Sequence, residues 1–188
     1  MQNELGRKVQ GKERTENGIL DTVNQRWEKD KKMDRITKKL IKMIPQDQWN
    51  EVMNQDMCDI EPEFLGFVDT YYYLSKIIPL HFTVIDFGCA YNPQCFFFEK
   101  HNKLISVDIG KFKKFNNSKN NTIVEEGIDD FINERHKDFD MDETFAICSY
   151  VGTNEIKTVK SMFKNVYTFY PSNKEEQKKL IMEMRTLR

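Results

Sequence analysis

Histidine and cysteine are scarce, with three and four residues in a chain of 188. The cysteines, Cys58, Cys89, Cys95 and Cys148, make no CxxC pair and no other zinc-ligand spacing. A structural metal is therefore not expected, and the thiols read as reduced and buried, the usual state in the cytosol. No apolar run approaches the roughly 18–20 residues of a membrane span, and the charged opening MQNELGRKVQGKER lacks the pattern of a secretory signal. No membrane association is expected, and the reading is cytoplasmic. Net charge is also lacking: at −1 the chain has no global field to attract nucleic acid, so only a local patch could do so. What is present suits one ordinary domain with a real core: 39% hydrophobic and 31% charged residues.

The two halves of the chain differ in pattern. Residues 1–17 are polar without apolar periodicity and read as a flexible arm. From Ile19 to Ile44 apolar residues recur in steps of three and four, including Leu20, Val23, Trp27, Ile36 and Leu40, which predicts an amphipathic helix ending before Pro45. A shorter helix is expected over Gln46–Cys58, completing a helical extension over 18–61. A third begins at Pro62, a favourable first-turn position, and stops at Pro79, with Phe64, Phe67, Val68, Tyr71 and Leu74 on one face. Beyond Pro79, short apolar runs alternate with helical ones: TVIDF, KLISVDI, NTIVEE, TFAICSYVG and NVYTFY each read as a strand, mostly followed by a helix. Five such units predict an α/β domain over 62–188 with a doubly wound, mainly parallel five-stranded sheet. A final helix is expected from Ser172.

Glycine is thin, eight residues in all, and the deficit falls at an informative place. The stretch DFGCAYNPQ, residues 86–94, follows the first strand where a nucleotide-binding turn would lie. Such turns usually carry three glycines. Here only Gly88 is present, with Ala90 and Asn92 where the others would stand. Asn92 and Pro93 together predict a capped helix start. The dinucleotide fingerprint GxGxxG fits poorly, and an acid at the end of the first strand would repel a pyrophosphate. A cationic ligand suits Asp86 better.

With VIDFGCAYN in place of a glycine-rich first motif and ISVDIG in place of the second, residues 62–172 resemble the class I S-adenosylmethionine-dependent methyltransferases in order and spacing. The resemblance implies S-adenosylmethionine as cofactor. Asp86, Gly88, Cys89, Ala90 and Asn92 would surround its methionine end. Asp108, with Ile109 beside it, would accept the ribose hydroxyls, since a carboxylate accepts two vicinal hydroxyls well. Ile128 and Asp129 would meet the adenine and Ser149 would close the site. The sequence departs from the family by placing Ile128 where an acid is common, and by ending its sheet at five strands.

Catalytic groups are less legible. The fourth strand ends in ICSYVGTNE without the Asn/Asp-Pro-Pro-aromatic motif of nucleic-acid amino-methylating members. Tyr150 and Glu155 are the candidates there, although Glu155 also suits the first turn of a helix. Methyl transfer needs chiefly alignment, so a missing base does not exclude it. The runner-up is a non-catalytic binding or regulatory protein of the same fold. Nucleic acid enters as a partner through Arg26–Lys42, with eight Lys/Arg against three acids, and through Lys111–Phe115, where KFKKF interleaves Lys with Phe.

Overall fold

The computed structural model describes residues 35–53, Gln55, 62–149 and 151–169. The arm over 1–17, the first half of the long helix, Cys58, Tyr150 and the helix expected from Ser172 lie outside the described residues, as do the side chains of Phe64 and Phe67.

Three helices precede the sheet: α1 (Arg35–Met43), α2 (Gln46–Met53) and α3 (Pro62–Ile77). Each buries one stripe. Thr37, Leu40 and Ile44 are buried along α1, Trp49 and Val52 on α2, and Val68, Tyr71, Leu74 and Ile78 along α3. Pro45 separates the first two helices, and Pro79 cannot continue the third.

Five strands follow: β1 (Thr83–Phe87), β2 (Lys103–Val107), β3 (Asn121–Val124), β4 (Thr144–Cys148) and β5 (Asn165–Thr168). They form one sheet in the order β3-β2-β1-β4-β5, parallel at every pairing. The chain winds outward from β1 to β3, then returns to build β4 and β5 on the other side. This is the doubly wound, Rossmann-like architecture expected from the sequence, with its switch point between β1 and β4. Helices α4 (Ile128–Arg135) and α5 (Thr153–Met162) lie on one face. There Ile85, Phe87, Val107, Phe131, Ala146 and Val159 belong to a single buried cluster.

The opposite face packs against α3 and a six-residue 3-10 helix, Pro93–Phe98, which replaces the longer helix read from the sequence. All six of its residues are buried. A segment with no polar side has no amphipathic period to sustain a surface helix, and its three phenylalanines wedge inward instead. This second face is polar at its centre, because Asp86 and Ser106 are register partners in β1 and β2.

Among the described residues no helix is long and apolar enough to cross a membrane.

Candidate functional site

At the switch point the chain leaves β1 through a turn of unusual backbone. Gly88, Ala90 and Asn92 all have positive φ, at 73°, 48° and 62°. These are the three positions where the sequence suggested glycines, so the backbone path survives without two of them. Only at 88 is glycine compulsory. A Cβ there would sit 1.7 Å from the carbonyl oxygen of Ser149, so β4 closes directly onto the turn.

Asn92 departs from expectation. It stands at the N-cap position, but its side chain makes no capping bond. It is buried, donating from Nδ2 to the Phe115 carbonyl at 3.0 Å and accepting from Ser106 at 3.1 Å. Left-handed backbone turns the amide inward, and the asparagine becomes a cross-link between two loops. Pro93 does take the first-turn position of the 3-10 helix.

Asp86 is buried beneath the turn. Tyr71 of α3 donates to one carboxylate oxygen at 2.9 Å, and Gln94 donates to the other at 2.7 Å. Burial raises the Asp86 pKa from the ordinary 3.8 to about 7, against the lowering effect of Gln94 and Tyr71, and the charge of Asp108 adds to the rise. The Tyr71 hydroxyl is itself pushed well up, first by burial and then by Asp86, so it remains a donor. Ser149 lies 2.8 Å from that hydroxyl and donates to the Gly88 carbonyl at 2.9 Å.

Asp108 follows β2 immediately. Its two oxygens accept from the backbone N–H of Ala90 at 2.9 Å and of Gly110 at 2.7 Å. Both bonds fix the carboxylate at the carboxyl end of the sheet, and the Ala90 bond ties it to the glycine turn. Beside it Ile109 is 77% exposed, the most exposed large hydrophobic among the described residues. The buried Lys114 amine contacts the Gly110 carbonyl, stands 4.3 Å from the centre of the Phe112 ring and lies 3.5 Å from Glu125 just past β3. It therefore joins the loop after β2 to the loop after β3.

The remaining candidates are dispersed around this rim. Ile128 is buried at the start of α4 and belongs to the core cluster, while Asp129 next to it is exposed. Glu155 accepts from the Gly152 backbone N–H at 2.8 Å and caps α5. Cys89, Cys95 and Cys148 are buried. Burial raises all three thiols, Cys148 to about 12, so none is an activated nucleophile. Among the described residues no group of three His, Cys, Asp or Glu could hold a metal.

Sequence reasoning missed Tyr71, Gln94 and the part played by α2. A tyrosine rather than phenylalanine on a buried stripe was the available signal, since a buried hydroxyl needs a partner. From α2 and the residues just after it, two glutamines each grip loop backbone at both its N–H and its carbonyl. Gln48 does so at Asn116, with bonds of 2.8 and 2.9 Å, and Gln55 does so at Lys113, with bonds of 3.0 and 2.7 Å. Glu51 pairs with Lys113 at 2.8 Å, and Trp49 packs on the buried Phe115. Within KFKKF, Lys113, Lys114 and Phe115 thus have partners in the protein, while Lys111 and Lys113 remain exposed.

Comparison with known proteins yields no matching family model, no matching curated protein and no matching solved structure.

Proposed function

We propose that the carboxyl-terminal edge of β1 and β2 binds S-adenosylmethionine, and that the protein is a methyltransferase using it. The observation that carries this reading is Asp108. Two backbone N–H groups orient its carboxylate at the end of β2, which leaves lone pairs for a ribose diol beside the exposed apolar surface of Ile109. The left-handed turn from Gly88 to Asn92 brings backbone close to such a ligand. Asp86, once ionised, and the buried Gln94 Oε1, which has no partner among the described residues, favour a ligand carrying positive charge over a pyrophosphate. The cofactor would supply an electrophilic methyl group. The chain's own contribution would be to hold the ribose through Asp108, cover the adenine with Ile109, and fix the turn through Tyr71, Gln94 and Ser149.

Calorimetry with S-adenosylmethionine and its demethylated product tests the reading. Binding should be measurable, and Ile109→Ala should weaken it roughly fivefold or more, as expected for losing about 1 kcal/mol of apolar contact. Because Ile109 is exposed, its truncation leaves the fold intact, and unaltered affinity in that variant would refute the assignment.

A second reading, a non-catalytic binding or regulatory protein, draws support from the fate of the polar groups after β4. Ser149 is bonded to Gly88 and Glu155 to Gly152. Binding without methyl transfer to nucleic acid, protein or small-molecule pools would favour it.

A further inference from the structure

Among the described residues the two basic stretches of the sequence differ in their ion pairs. Lys113 and Lys114 are paired with Glu51 and Glu125. Helix α1, RITKKLIKM, carries four cations and no acid, and Arg35, Lys38, Lys39 and Lys42 are all exposed. None of the four takes part in an ion pair among the described residues. Their spacing of three, four and seven residues places them on one stripe, opposite the buried Thr37, Leu40 and Ile44. The stripe runs for about 10 Å, the rise of about three stacked nucleotides.

Aromatic surface adjoins it. The Lys39 ammonium stands 4.9 Å from the centre of the Tyr72 ring, and Lys76 of α3 stands 5.2 Å from the same centre. Tyr73 meets Tyr72 edge to face at 5.9 Å and is 45% exposed, one of three large hydrophobics so exposed among the described residues. Asp69, one turn before Tyr73, is an exposed acid on α3.

We infer that this α1–α3 surface docks single-stranded nucleic acid, with the α1 stripe on successive phosphates and Tyr73 stacking on a base. Cations that track a backbone beside an accessible ring are the common means of holding single strands. A duplex hides its base faces and could not use Tyr73. A membrane surface is a poorer fit, because the apolar side of α1 is buried against its own protein and cannot enter the lipid boundary. The proposal does not rest on the cofactor reading, and its test needs no cofactor.

The test is fluorescence anisotropy of a labelled single-stranded oligonucleotide of about 16 nucleotides, titrated with the full chain between about 50 and about 200 mM salt. Contact with three or four phosphates predicts a log–log salt slope of about −2 to −3. Lys38→Glu, Lys39→Glu and Lys42→Glu together should weaken binding roughly tenfold or more and flatten that slope. Tyr73→Ala should cost roughly fivefold while leaving the slope unchanged, since it removes stacking and not charge. Lys157→Glu with Lys160→Glu, exposed on α5 across the sheet, should change little. The proposal fails if no salt-dependent binding occurs, if the α5 pair weakens binding as much as the α1 set, or if duplex binds as tightly as single strand. Binding confined to anionic vesicles or an acidic peptide would also overturn it.

Discussion

At Gly88 and Ala90 the same backbone conformation has opposite consequences for substitution. Both residues are left-handed, but only Gly88 faces a carbonyl, that of Ser149, where a Cβ would stand. Gly88→Ala should therefore destabilise the protein by about 3 kcal/mol or more, from collision and backbone strain together. Ala90→Gly should be neutral or stabilising by up to about 1 kcal/mol, because it removes the left-handed penalty of an L-residue. Urea denaturation of the two variants measures both. Equal destabilisation by the two changes would show that the turn is not organised as described. Asp86 allows a sharper test. Its folded pKa is raised, so the folded state holds a proton that the unfolded chain releases above pH 3.8. The associated stability is fully present below about pH 4 and is lost as pH rises through about 7. Asp86→Asn should remove that loss, so the fall in melting temperature between those limits should flatten. A variant that keeps the wild-type pH profile would place the titration elsewhere.

At the scale of elements, the link between α2 and the loop after β2 ties the helical extension to the candidate site. Gln48 and Gln55 hold the loop backbone at Asn116 and Lys113, Phe115 N–H donates to the Tyr91 carbonyl at 2.8 Å, and Asn92 binds the Phe115 carbonyl. An unbroken set of contacts thus runs from the extension through the loop to the glycine turn. Replacing both glutamines by alanine removes all four of their hydrogen bonds to the loop, each worth about 1 kcal/mol or less where partly exposed. Amide exchange across 112–116 should speed roughly tenfold or more, while β1 and β4 keep their protection. Unchanged exchange in the loop would mean that α2 merely rests against it. The helix was expected from the sequence, but its link to the loop was not legible there. Glutamine side chains that mimic a strand partner carry no periodic signal, and the stretch they grip read as a basic, aromatic nucleic-acid contact at Lys111–Phe115.

For the whole molecule, the sheet was the most legible part. β1 was read to the residue, because TVIDF is an apolar run bounded by Thr83 and the turn. β2 and β3 were read two residues too long at their carboxyl ends, and β4 and β5 were also read past theirs, where Asp108, Glu125 and Ser149 leave the ladder at the rim of the candidate site. Burial of both faces by helices makes such strands near-continuously apolar, and that pattern survives in sequence. The face under α3 was less legible, since its buried polar residues, Asp86, Gln94, Asn92 and Ser106, look like loop chemistry until the fold brings them together. Asp86, Gly88 and Asp108 were singled out in the sequence as a candidate site and meet at one end of the sheet, whereas Tyr71 and Gln94, which bond to Asp86, read as core and helix.

Binding of an adenosyl sulfonium ligand at the Asp108 edge is the central claim, and calorimetry of the full chain against S-adenosylmethionine tests it most directly. Saturable binding that weakens roughly fivefold or more in Ile109→Ala is the predicted result. Absence of heat at millimolar ligand, with the protein folded, would contradict it.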